Sequence, residues 1–199
     1  MRSKGTITLV ILVVLLGLGG CGAANSYNTL VQSDESVKTA WSNLQAQYQR
    51  RADLIPNLVE TVQGAADFEK ETLQAVTEAR AKATSIQVRP EDLDNPQKLQ
   101  QFQQAQSALG QSLGRLLAVS ENYPQLQATQ AFSDLQAQLE GTENRITVAR
   151  RDYNQAVQQF NTKVRSFPTV LFAGLMGFPP RTAFEAEAGA EQAPDVNFD

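Results

Sequence analysis

Two arginine pairs, each followed closely by an acid, are the groupings in this 199-residue chain best equipped to do chemistry. Arg50 and Arg51 lie within a helical turn of Asp53, and Arg150 and Arg151 directly precede Asp152. A guanidinium fork matches a carboxylate or phosphate with two parallel hydrogen bonds. Such clusters therefore have two readings. They form an Arg–carboxylate network that fixes helix register, or they bind an anion, either a phospholipid headgroup or a partner's carboxylate. Hydrolysis by carboxylates such as Asp53 or Glu60 is a further alternative, but it needs a paired, perturbed site that spacing alone does not reveal. Other chemistry is excluded by composition. Histidine is absent and Cys21 is the only cysteine, which removes a His general base, a cysteine nucleophile in the body of the chain, and the usual zinc and haem ligand sets. No catalytic residue, metal ligand or cofactor is expected. Lys and Arg number 17 against 21 Asp and Glu, with no clustered basic surface, so nucleic acid is not an expected partner.

Cys21 has a different kind of chemistry. It follows a short basic region (Arg2, Lys4), an uncharged apolar run from Thr6 to Gly20, and the small residues Gly19 and Gly20. This is the grammar of a secretory leader, and it looks like a bacterial lipoprotein signal in which Cys21 is lipidated. The other reading is a single uncleaved N-terminal span, which needs ~20 apolar residues and is marginal here. Glycines at 17, 19 and 20 favour the lipid anchor. Either way the basic residues stay cytoplasmic and the body is expected outside the cytoplasm, anchored in the bacterial cell envelope. Residues 1–20 are thus a signal peptide or transmembrane anchor and 21–25 a short tether.

The elements that position the arginines are helical. The chain is rich in Gln and Ala and poor in β-branched runs. Val37, Trp41, Leu44, Tyr48, Ile55, Leu58 and Val62 recur at alternating four- and three-residue steps, with Arg51 in the one missing place. This is the seam of a packed helix. A lone charge there costs several kcal/mol, so Arg51 must be paired or snorkelling. The phase continues through Pro56, which predicts one long kinked helix from about Ser26 to Ala83. Ser85 to Asn95, with Pro90, reads as a surface connection. Asn95 and Pro96 open a further helix, with Leu99, Phe102, Leu109, Leu113 and Leu116 on one side. Gln97, Gln100, Gln101, Gln103, Gln104 and Gln106 mark its exposed side. The last helix is expected from about Pro124 to Ser166. It keeps a heptad frame through Phe132, Leu135, Leu139, Ile146, Tyr153 and Phe160, which suits a bundle or a coiled-coil dimer. The fold class is all-α: an elongated antiparallel helical bundle of long helices over 26–180. Trp41 and Tyr48 are core candidates, and Asn28, Asn43, Asn57, Asn144, Asn154 and Asn161 are candidates for fixing register.

After Phe167-Pro168, the segment Thr169 to Phe178 is the second most apolar in the chain. It is too short to span a bilayer. It either folds back to cap the bundle or meets a membrane or partner through Leu171, Phe172, Leu175, Met176 and Phe178. Residues 181–199 read as an acidic, mobile tail.

Several stretches resemble the LemA family. They are Tyr27-Asn28-Thr29-Leu30-Val31, Ala40-Trp41-Ser42-Asn43-Leu44, Gln49 through Val59, Glu143-Asn144-Arg145-Ile146, Ala149 through Asn154, Phe160-Asn161-Thr162, and Arg165-Ser166-Phe167-Pro168. The resemblance implies a membrane-attached helical bundle, brings no catalytic residues, and departs from the family's usual N-terminal span at Cys21. The expected function is a non-enzymatic scaffold or adaptor for an unknown membrane protein partner, with self-association open. The alternative is a lipid-facing protein that senses or reshapes the bilayer through its apolar C-terminal segment.

Overall fold

The computed structural model describes the backbone of residues 4–64 and 68–185, and the side chains of 25–64 and 68–185. Its helices are α1 (Lys4–Gln63), α2 (Lys70–Ser85), α3 (Pro96–Ser120), the short α4 (Pro124–Gln127) and α5 (Gln130–Arg165). Single 3₁₀ turns lie at Pro90–Asp92 and Thr169–Leu171. No strand occurs among the described residues. Successive long helices run in opposite directions. Arg80 of α2 reaches back to Ala52 of α1, Gln106 of α3 reaches Ala83 of α2, and Lys163 near the end of α5 reaches Ser33 near the start of the α1 body. The result is an up-down-up-down bundle, elongated because α5 alone has 36 residues, about 54 Å at ~1.5 Å per residue.

The seam of α1 is buried along its whole length, from Val37 to Val62, with Arg51 among its buried members. The helix passes through Pro56 without ending. Proline has no N–H to donate to the carbonyl four residues back, and here that carbonyl, Ala52 O, instead accepts from Arg80 Nε at 2.8 Å. A residue from the next helix thus supplies the donor that proline withholds.

Two boundaries differ from expectation. The long helix ends at Gln63, not near Ala83, because the chain turns at Gly64 and runs back as α2. The reversal places Phe68, Leu73 and Val76 in one apolar cluster with Leu58 and Val62. The last helix does not begin at Pro124. α4 closes there as a separate turn, Thr129 adopts an extended backbone, and its hydroxyl accepts from Phe132 N to cap α5. The Ser85–Asn95 connection is less superficial than its charges suggest. Val88 and Leu93 are buried, and Val88 O accepts hydrogen bonds from Trp41 Nε1 and Gln45 Nε2. Asn95 does cap α3, accepting from Lys98 N. The heptad residues of α5 named above are all buried, and they face the bundle's own core.

The packed body runs past 180 to Glu185. Arg181 is paired with Asp34, and Phe184 is buried against Trp41 and Tyr153. Residues 186–199 lie outside the described residues, as do the side chains of the leader and Cys21. Among the described residues, no helix is long and apolar enough to cross a membrane.

Candidate functional site

The apolar interior is divided into two clusters. One surrounds Trp41, Phe102 and Tyr153, and the other surrounds Leu58, Leu109 and Phe132. Arg51 lies between them. It is 3% exposed. Its Nη1 donates to Glu143 Oε2 of α5 at 2.8 Å. Its Nη2 donates to Gln106 of α3 twice, to the backbone O at 3.0 Å and to Oε1 at 2.7 Å. The guanidinium also lies 5.3 Å from the Tyr48 ring centroid. Gln106 Nε2 continues the network to Ala83 O at the end of α2. One buried cation therefore joins all four long helices at a single level. Its Nε–H, also buried, has no partner.

Arg51 is also the floor of a groove. α1 packs along α5, and α2 along α3, while α3 and α5 approach one another much less closely. The opening between them is a cavity of about 440 Å³, with Tyr48 and Arg51 below, Gly110 and Gly114 on the α3 wall, and Glu143 and Arg150 on the α5 wall. A Cβ at Gly114 would meet nothing within 4 Å, and one at Gly110 would only touch Arg51 Nη1 at 3.8 Å. The two glycines are what keep this wall low.

The far part of the same seam is filled by this chain. Arg181–Glu185 runs extended along α5 and is held by side chains that imitate strand pairing. Asn161 accepts from Arg181 N and donates to Arg181 O, both at 2.8 Å. Asn154 does the same for Phe184, at 2.9 and 3.1 Å. Tyr153 donates to Thr182 O at 2.8 Å, and burial pushes its phenol pKa up. Gln103 of α3 and Arg150 of α5 both donate to Glu185 O, and both also line the groove. The open groove starts where the filled seam stops.

The expected residues divide accordingly. Arg51 and Arg150 line the one groove, but the two Arg-Arg-acid clusters do not pair with each other. Arg50 and Asp53 are exposed, with Asp53 accepting from Gln49. Arg151 is exposed beside Asp152 at 3.9 Å. Glu60 is exposed on the outside of α1. Gln106, expected on the outer face, is buried as the partner of Arg51. Of the asparagines, Asn154 and Asn161 do hold a register, that of the C-terminal segment, whereas Asn28, Asn43, Asn57 and Asn144 are exposed. The apolar segment after α5 both folds back and stays open. Ala173 and Phe178 are buried and Phe172 and Met176 partly so, while Leu171 and Leu175 are exposed.

Sequence reasoning missed the Asp34–Arg181 pair. Arg181 Nη2 and Nε donate to Asp34 Oδ1 at 2.7 and 3.1 Å, and Lys38 lies 2.9 Å from the other oxygen. Burial opposes ionisation of Asp34, but hydrogen bonds from Lys38 and Arg181 outweigh it and hold the carboxyl below its ordinary value. The only local signal was the four-residue spacing of Asp34 and Lys38.

Comparison with known proteins adds a family. The LemA family profile matches residues 40–198. The chain is 26% identical over 181 residues to magnetosome protein MamQ 2 of Paramagnetospirillum magneticum, covering 83% of this chain and 66% of that protein. It is 28% identical over 142 residues to Protein LemA of Metamycoplasma hominis, covering 71% of this chain and 61% of the relative. The chain thus spans just under two thirds of the length of these relatives.

Proposed function

This chain belongs to the LemA family, and from that premise we propose that it is a membrane-attached, non-enzymatic scaffold of the bacterial cell envelope that binds a segment of a membrane protein partner in the α3–α5 groove. The observation that carries this reading is the half-filled seam. One half accepts an extended peptide through the amides of Asn154, Asn161 and Gln103. The other half is open, lined by two glycines, and floored by the Arg51 guanidinium. A segment with small side chains fits such a site by shape. The N-terminal anchor, lipid at Cys21 or a span, keeps the groove at the membrane and raises the effective concentration of a membrane partner.

The test fills the groove. Gly114→Trp places a large side chain in open space and leaves the core untouched. Co-purification from native membranes after in-cell crosslinking should recover a stoichiometric membrane protein with the wild-type chain and lose it with the variant. Equal recovery from both chains would remove the groove from the account. A second reading, in which the chain acts on the bilayer itself, is favoured by the exposed Leu171 and Leu175.

A further inference from the structure

Six large hydrophobic residues are exposed among the described side chains, and all but Val148 are gathered at one end of the bundle. Phe167 is 82% exposed, Leu171 69% and Leu175 91%, with Val170 and Tyr27 about half exposed. Phe178 joins the loop to α1, its ring 5.6 Å from that of Tyr27. The loop is not a loose strand. Val170 N and Ala173 N donate to Ser166 O and Thr169 O, Met176 N to Phe172 O and Phe178 N to Ala173 O. Gly177 takes the positive φ of 81° that lets the chain turn back. Ala173 and Phe178 bury themselves in the core, and Phe167, Val170, Leu171 and Leu175 are thereby held outward. No charged residue occurs from Ser166 to Pro180, and Arg165 and Arg181 flank the segment.

The same end of the molecule leads to the leader. α1 is continuous from Lys4, and its uncharged run ends at Gly20, about 10 Å of helix below Tyr27. A loop packed on Tyr27 therefore lies within one interfacial layer of the bilayer that holds the anchor, whether that anchor is lipid at Cys21 or a span over residues 6–20. An apolar surface presented there, bordered by the exposed Arg165, suits burial ~5–10 Å into the headgroup–acyl boundary.

We propose that the Phe167–Leu175 loop is a second membrane contact, which seats in the interface of the bilayer that holds the N-terminal anchor and so fixes the orientation of the bundle on the membrane. This rests on the attachment reading above. The occupant is a lipid surface, because the patch adjoins the chain's one strongly apolar run and not the groove, which lies further along α1 at Arg51.

The test uses the full chain reconstituted in phosphatidylcholine–phosphatidylglycerol vesicles with brominated acyl chains. Leu175→Trp adds a reporter at the loop, Gln127→Trp adds one at the opposite end, and the wild-type chain gives the background of buried Trp41. The inference expects Leu175→Trp emission to shift to the blue and lose most of its intensity to bromolipid, while aqueous iodide has little effect. Gln127→Trp should respond in the opposite way. If Leu175→Trp is quenched by iodide and spared by bromolipid while the protein floats with the vesicles, the loop contact is wrong and the attachment stands. If the wild-type chain does not float, the attachment reading falls, and this inference with it.

Discussion

Removing the charge of Arg51 while keeping most of its volume separates its structural work from its recognition work. In Arg51→Met, Glu143 is 56% exposed and returns to water at little cost, while Gln106 loses its charged donor. The expected loss is ~1–3 kcal/mol, read as a lower urea midpoint with unchanged helical circular dichroism, because the buried Gln106 Oε1 is left without its donor while no charge is stranded in the core. Asp34 gives the matching pH prediction. Its folded-state pKa lies below the ordinary 3.8, so its contribution to stability is complete above that value and drains as the pH falls through the lowered one. Asp34→Asn removes this part of the acid sensitivity, and its unfolding midpoint should fall less steeply than the wild type's below about pH 4. Much at this scale could not be read from sequence. The burial of Arg51 followed from its place in the seam, but its partners Glu143 and Gln106 come from distant helices. Gln106 in particular sits in a glutamine run of which Gln97, Gln100, Gln101 and Gln104 face solvent. Arg181 follows two prolines and precedes an acidic stretch, and nothing local announces that it closes on Asp34.

Helices were legible where their apolar phase was strong. The α1 seam, the α3 cap at Asn95 and the α5 heptads all stand where periodicity put them. Periodicity misled at the α1–α2 turn, since Leu58, Val62, Leu73 and Val76 keep a helical rhythm whether the chain runs straight or folds back. Only the need to bury that face decides between the two. The Pro56 region yields a quantitative prediction. Arg80→Ala should cost ~1–2 kcal/mol by orphaning the Ala52 carbonyl in a buried setting. In a Pro56→Ala background the restored N–H can serve that carbonyl, so the same change should cost ~1 kcal/mol less. A double-mutant cycle by urea denaturation measures the difference, and an additive result would sever Arg80 from the proline. On α3, Gly114→Ala meets open space and should raise stability by ~0.5–1 kcal/mol. Such a gain would mean the glycine is retained for something other than folding.

The whole molecule is a bundle whose two apolar halves meet at one charged layer, with the outlet of that layer forming a groove. A polar layer in an apolar stack fixes the register of helices, and here the same layer faces an opening. One end carries the leader and the exposed loop, and the groove lies partway along toward the other. This arrangement suits a protein held on a membrane that offers its flank to a neighbour. The central claim is that a partner occupies the α3–α5 groove in the cell, and the most direct measurement is site-specific photocrosslinking in intact cells. A photoreactive residue replaces Gly114 in one strain and Gln74, on the exposed side of α2, in another. The account predicts one discrete adduct from position 114, absent from position 74 and abolished when Arg51→Met is added. No adduct at 114, or equal adducts at both positions, would contradict it.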